Sequence, residues 1–231
     1  MTMRIHPMFM GGRHLGSSAC LALRLPDRTP PAEPMPITHL LYLHGFRSSP
    51  RSTKAQRVRQ QIEARYPGLT WWCPQLPPSP RQAMALVMQG IAGWPRDGMA
   101  VMGSSLGGFY ATWVAERTGC RAAVLNPAVK PARDLASHIG EQSAWHDPAE
   151  RFFFRPEFVD ELQSLACPAI TMPERYYALI AKGDEVLDWR EMSAHYPGAH
   201  LRLLEGSDHA LSDFDQHLDE VLAFLELRAS S

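Results

Sequence analysis

The residues best suited to do chemistry sit in Gly103-Ser104-Ser105-Leu106-Gly107. Ser105 is the centre of a Gly-x-Ser-x-Gly pattern. A serine at the apex of a tight strand-to-helix turn is held in a strained backbone conformation that projects its hydroxyl out of the sheet. Glycines flank such a turn because a Cβ would collide where the helix passes close to the strand. The helix start behind the serine offers unpaired backbone N–H groups and favours negative charge. With glycine at about 7% of residues, the bare pattern arises by chance in roughly one chain of this length in a dozen, so context decides. Met99-Ala100-Val101-Met102 before it is apolar and β-compatible, and Phe109-Tyr110-Ala111-Thr112-Trp113-Val114 after it is helix-compatible. Ser104 is not the centre, because Met102 and Leu106 would fall where the pattern needs glycine.

Serine is a poor nucleophile at neutral pH. It needs an imidazole to take its proton, and the imidazole needs a carboxylate to fix its tautomer and stabilise its cation. His209, in Glu205-Gly206-Ser207-Asp208-His209, is the favoured base. His44, in His44-Gly45-Phe46, is the alternative, with a structural role in its loop as the plainer reading. His138, His146, His195, His200 and His217 read as solvated or packing residues in helical or cap contexts. Asp184, directly after a strand and Gly183, is the favoured carboxylate, and Asp188 is the alternative. Asp208 adjoins His209 too closely to orient it and reads as a cap. Backbone N–H groups of Phe46 and Leu106 are candidate donors to a developing oxyanion, each worth on the order of 3 kcal/mol of barrier.

These residues need elements to carry them. Apolar runs over 39–43, 70–73, 98–103, 121–125, 177–181 and 201–204 read as six strands, the first buried on both faces. Helical segments separate them: one capped by Ser52 and running to Tyr66, one over 81–92, one from the elbow to Gly119, and a closing amphipathic helix over 212–226. Strands alternating with helices predict a mostly parallel six-stranded α/β sheet with helices on both faces. Ligands of such sheets gather beyond the carboxyl ends of the strands, where His44, Ser105, Asp184 and His209 all fall. Residues 131–175 break the rhythm and are rich in aromatics, which predicts a small cap insertion. Its aromatics read equally as pocket lining and as cap core.

Residues 1–36 differ from the rest. Their proline-dense end reads as an extended, unfolded arm ahead of one domain over 37–231, or as an over-long start with Met35 the true first residue.

Bulk composition narrows the partners. In 231 residues the formal charge is −1, which gives no global field to recruit nucleic acid or an anionic membrane. No apolar run approaches membrane-spanning length. Four scattered cysteines form no Cys-x-x-Cys pair, which points to free thiols in a reducing, cytoplasmic setting and implies neither metal nor cofactor.

Leu41-Tyr42-Leu43-His44-Gly45-Phe46-Arg47-Ser48-Ser49-Pro50, Pro74-Gln75-Leu76-Pro77-Pro78, Gly103-Ser104-Ser105-Leu106-Gly107-Gly108-Phe109-Tyr110, Asn126-Pro127-Ala128-Val129 and Gly183-Asp184-Glu185-Val186-Leu187-Asp188 together resemble the YqiA/YcfP-type esterases over about 39–227. The resemblance implies an α/β-hydrolase fold and a serine esterase with Ser105 as nucleophile, Asp184 as acid and His209 as base. The expected activity is hydrolysis of esters or thioesters of small to medium acyl groups, with a small acyl ester or acyl-CoA as substrate. Two other readings compete: a non-catalytic ligand-binding module on the same scaffold, and metal-assisted hydrolysis through His44, Asp208 and His209.

Overall fold

The computed structural model describes residues 36–145, 147 and 149–227. The arm expected over 1–36 falls, Pro36 apart, outside the described residues, as does the alternative start at Met35.

Six strands form one sheet: β1 (His39–Leu43), β2 (Thr70–Trp72), β3 (Met99–Ser104), β4 (Arg121–Leu125), then β7 (Tyr176–Ala181) and β8 (His200–Leu204). Between β4 and β7 lie β5 (Gly140–Ser143) and β6 (Arg151–Phe154), which pair with each other antiparallel. The sheet order is β2-β1-β3-β4-β7-β8, with every neighbouring pair parallel. The chain places β2 on one side of β1 and β3 on the other, so the order switches between β1 and β3. Crevices at such switch points are where open α/β sheets bind ligands.

Alternation along the strands feeds two cores. Leu41, Leu43, Val101, Val124, Ala178 and Ile180 face one way. Leu40, Tyr42, Met102, Leu125, Tyr177 and Leu179 face the other. Helices α2 (Pro80–Gly90), α3 (Leu106–Thr118), α5 (Pro156–Ser164) and α6 (Trp189–His195) cover the first face through Met84, Val114, Leu162 and Met192. Helices α1 (Thr53–Arg65) and α7 (Leu218–Phe224) cover the second through Val58, Ile62, Val221 and Leu222. Local chemistry sets the helix starts. Ser52 caps α1 through its hydroxyl on the Ala55 N–H, and Ser79 caps α2 on Gln82 ahead of Pro80. Gly119 closes α3 in the left-handed conformation at φ 80°. Among the described residues no helix is long and apolar enough to cross a membrane.

The closing helix starts later than the pattern predicts, at Leu218 rather than 212. The preceding stretch is held in a different shape. The Asp208 carboxylate accepts from both the Ser212 N–H and hydroxyl, Leu211 takes φ 51°, and Phe214 is buried in a short 3-10 turn. Those residues shape the loop that carries His209 and cannot also form a regular helix.

The stretch 131–175 comprises α4 (Pro131–Leu135), the β5–β6 hairpin, α5 and a 3-10 turn at Pro173–Arg175. Arg47, in the loop after β1, fastens the hairpin: its Nε donates to the Ser143 carbonyl at 2.6 Å, and its guanidinium lies 4.1 Å from the Trp145 ring centroid.

Candidate active site

β3 ends at Ser104, and Ser105 turns the chain directly into α3 with φ 56° and ψ −122°. An L-residue adopts that backbone only at a cost of order 1–3 kcal/mol, which the surrounding structure must hold in place. Two hydrogen bonds to the end of β4 do so: the Ser105 N–H donates to Leu125 at 3.0 Å, and its carbonyl accepts from Ala128 at 3.0 Å. The glycines permit the approach. A Cβ on Gly103 would lie 2.0 Å from the Gly107 carbonyl oxygen, and one on Gly107 would lie 1.9 Å from that of Leu43. No side chain fits at either place.

The structure brings Ser105, His209 and Asp184 into one hydrogen-bonded line. Ser105 Oγ lies 3.0 Å from His209 Nε2, and His209 Nδ1 lies 2.8 Å from Asp184 Oδ2. An ionised carboxylate only accepts, so Nδ1 carries the imidazole hydrogen and Nε2 presents its lone pair to the hydroxyl. The Asp184 side chain is fully buried, and its other oxygen accepts from the N–H groups of Val186 and Leu187, both at 2.8 Å. That turn fixes the carboxylate independently of its bond to the imidazole. Chemically, the line can pass a proton from the hydroxyl to the ring while the carboxylate steadies the resulting cation.

The alternatives fall elsewhere. Asp188 caps α6, accepting from the Arg190 N–H at 2.9 Å. His44 is buried; its Nε2 accepts from the Leu76 N–H at 3.1 Å, so its Nδ1 donates to the Gly45 carbonyl at 3.0 Å. That ring ties the loop after β1 to the proline-rich loop before α2. Asp208 is engaged with Ser212 within the loop and caps no helix, since the expected helix from 212 does not form there. His44, Asp208 and His209 thus serve three different hydrogen-bond sets and do not converge as metal ligands. Of the remaining histidines, His200 departs from its expected helical or cap setting: it opens β8 and packs at a tilt against Phe224 with centroids 5.0 Å apart. His146 lies outside the described residues.

Phe46 and Leu106 flank the Ser105 turn. Leu106 is the first residue of α3, so its N–H has no acceptor within the helix. Two clefts meet here. One, of about 460 Å³, is lined by Ser105, His209, Ser48, Lys54, Arg57 and Trp145 among others. The second, of about 410 Å³, is lined by Leu106, Leu76, Pro77, Tyr110, Ala144 and Phe152 among others. Phe46 borders both. The insert's aromatics divide between packing within the insert and lining the clefts. Phe154 is buried beneath Phe46 and Phe158, Phe152 and Trp145 line the clefts, and Phe153 is 54% exposed.

Sequence reasoning missed four residues that hold the site. Glu185 accepts from the His209 N–H at 3.0 Å. Lys54 donates from Nζ to the carbonyl of Ala210, and burial pulls its ammonium down to about 8 against the opposing pull of Asp208 and Asp184. Asn126 bonds to the His209 loop, and Arg47 anchors the hairpin. For Asn126 a signal existed: an Asn-Pro step directly after a strand marks a sharp exit, and asparagine tolerates positive φ.

A parallel six-stranded sheet clothed by helices on both faces, with a serine elbow after its third strand, defines an α/β-hydrolase. Residues 39–226 match the Uncharacterised protein family (UPF0227), the YqiA/YcfP family, and the chain belongs to it. Solved structures of similar fold include LipS and LipT, metagenome-derived lipolytic enzymes, at 18% identity and TM-score 0.62 over 83% of this chain and 94% of that one. Est1E from Butyrivibrio proteoclasticus with bound ferulic acid matches at 15% identity and TM-score 0.60, over 85% and 90% of the two chains. Mouse alpha/beta hydrolase domain-containing protein 10 matches at 14% identity and TM-score 0.60, over 81% and 90%. At these identities the likeness establishes the fold. With the family, it supports an enzyme of the hydrolase kind.

Proposed function

We propose that this protein is a serine hydrolase that cleaves carboxylic esters, and thioesters such as acyl-CoA, of small to medium acyl groups through an acyl-Ser105 intermediate. The observation that carries the reading is the continuous line Ser105 Oγ to His209 Nε2 to Asp184 at 3.0 and 2.8 Å. Ser105 Oγ attacks the acyl carbon while His209 Nε2 takes its proton. The carbonyl oxygen becomes an oxyanion facing the N–H groups of Leu106 and Phe46. The tetrahedral intermediate collapses, the bond to the leaving oxygen or sulfur breaks, and His209 returns the proton to that atom. Water, deprotonated by His209, then attacks the acyl-serine and releases the acid.

The two clefts divide the substrate. The imidazole must reach the leaving atom, so the leaving group occupies the cleft that His209 lines, among Ser48, Lys54 and Arg57. The acyl group occupies the cleft behind Leu106, against Leu76, Pro77, Tyr110 and Phe152 of the insert. The free thiols of Cys73, Cys120 and Cys167 suit a reducing, cytoplasmic setting.

Labelling by a fluorophosphonate probe tests this directly. The folded protein is expected to label, and Ser105→Ala to lose both labelling and turnover of p-nitrophenyl and acyl-CoA esters. A folded protein that does not label, or an alanine variant that labels equally, removes the reading. Ligand stabilisation in a melt without any turnover would instead identify a binding module.

A further inference from the structure

The candidate residues stand on three different strand ends, and one buried side chain touches two of those ends directly. Asn126 follows β4 immediately and is wholly inaccessible to solvent. Its backbone N–H continues the ladder, donating to Leu179 of β7 at 2.9 Å. Its side-chain Oδ1 accepts from the Ala181 N–H at 2.8 Å, at the last residue of β7 and three residues before Asp184. Its Nδ2 donates to the Asp208 carbonyl at 2.9 Å and to the His209 carbonyl at 3.3 Å. On either side of it, Leu125 and Ala128 hold the backbone of Ser105, each at 3.0 Å. The turn 125–128 therefore contacts the carriers of all three residues.

We infer that Asn126 is a positioning residue: its amide locks the His209 loop to the end of the strand that carries Asp184, and so fixes the distance between imidazole and carboxylate. The role requires both a donor and an acceptor on one short planar side chain. An aspartate would offer acceptors to two carbonyls. A leucine of similar size would leave the Ala181 N–H and two carbonyls facing a methyl group, and such unpaired groups are expensive to bury. The backbone there, at φ 41°, is one that asparagine tolerates and branched residues do not. Asn126 lines neither cleft, so it has no part in holding substrate.

The inference rests on the hydrolase reading for its kinetic consequence but not for its structural one, and the two are measured separately. In Asn126→Gly the backbone keeps its φ while both side-chain links vanish. The expected result with p-nitrophenyl butyrate is a kcat about 10- to 100-fold lower with KM within about twofold, since misplacement by an ångström costs on that order. The parent is expected to show a downfield proton resonance of the His209 Nδ1–H, which lies 2.8 Å from Asp184, and the variant to weaken or lose it. Asn126→Ser, whose single hydroxyl cannot bridge both sides, supplies the same readouts should the glycine variant fail to fold. A purely structural residue would lower the melting temperature and leave kcat per folded molecule and the resonance unchanged; that outcome overturns the inference. A parent without Ser105-dependent turnover overturns the hydrolase reading, and the resonance still decides whether Asn126 holds the loop.

Discussion

β3 and β4 lie side by side and leave the sheet in related ways, each into a non-glycine residue of positive φ: Ser105 at 56° and Asn126 at 41°. They turn their side chains to opposite uses. The Ser105 hydroxyl lines a cleft, whereas the Asn126 amide is sealed beneath the site. Positive φ values recur around them, at Arg47 after β1 and at Ser207 and Leu211 after β8. Strained turns at the carboxyl edge thus fall into two kinds: those that present a reactive group and those that hold the frame. Local strain of this sort persists only where the surroundings over-determine it.

The largest expected effect breaks the presenting side. Asp184→Asn places an amide where His209 needs an acceptor, so the ring can turn its tautomer and lose its lone pair toward Ser105. Turnover of p-nitrophenyl butyrate is expected to fall roughly 1,000- to 10,000-fold with the fold retained. Asp188→Asn, at the cap of α6, is expected to change turnover by less than about twofold. Equal losses in the two variants would return the carboxylate role to an open choice between them.

The next test sets the two strained turns against each other by one substitution. Ser105→Gly relieves the backbone and removes a hydroxyl that faces a cleft, so it is expected to raise stability by about 1 kcal/mol while abolishing turnover. Asn126→Gly relieves similar strain but removes three buried hydrogen bonds, and is expected to lower stability by about 2 kcal/mol. Denaturant unfolding monitored by tryptophan fluorescence measures both. Changes of the same sign would mean that the two turns do not differ in kind.

The difference also explains what could be read from the amino-acid sequence. The presenting residues announce themselves because their chemistry demands a type and a setting: Ser105 between glycines, Asp184 and His209 just past strands. Six strands and their parallel direction, though not their order in the sheet, followed from short apolar runs separated by helical segments such as Ser52–Tyr66. The frame was nearly silent: the Asn126-Pro127 step marks a sharp exit from a strand but not what the amide holds. Asn126, Glu185 and Lys54 act through backbone groups of residues 24 to 156 positions away, and no local pattern records such a partner. The loop 205–217 read as helix from 212 because its polar and apolar residues suit one, yet tertiary bonds through Asp208 and the burial of Phe214 overrode that preference.

Lys54 gives a smaller, pH-dependent test of the frame. Burial lowers its ammonium from 10.5 to about 8. Between those values the unfolded chain holds a proton that the folded chain has released, so stability contributed by this group rises with pH across that window. Below about 8 both states are protonated and the full desolvation cost stands. Relative to Lys54→Met, the parent is therefore expected to gain in melting temperature between pH 8 and 10.5, and to show a constant difference below pH 7. A parent that loses ground over that window would show that Lys54 is not desolvated in the folded state.

The smallest effect belongs to a link that is neither strained nor buried. Lys130, beside α4, and Arg133 within it both pair with Glu191 of α6, at 2.7 Å each, and the two cations are more than half exposed. Their side-chain hydrogen bonds pull the Glu191 carboxyl down to about 2. Its folded-state value lies below that of the unfolded chain, so its contribution is complete above about 4.5 and is lost as pH falls toward 2. Solvent and salt screen a pair this open, and Glu191→Gln is expected to cost less than about 1 kcal/mol at pH 7, less again in 0.5 M salt, and to leave turnover unchanged. Asn126 makes bonds of similar length but has no water to fall back on when they are lost. If Glu191→Gln matched Asn126→Gly in stability or in kcat, burial would not be what separates the frame of the site from the ordinary stitching of its rim.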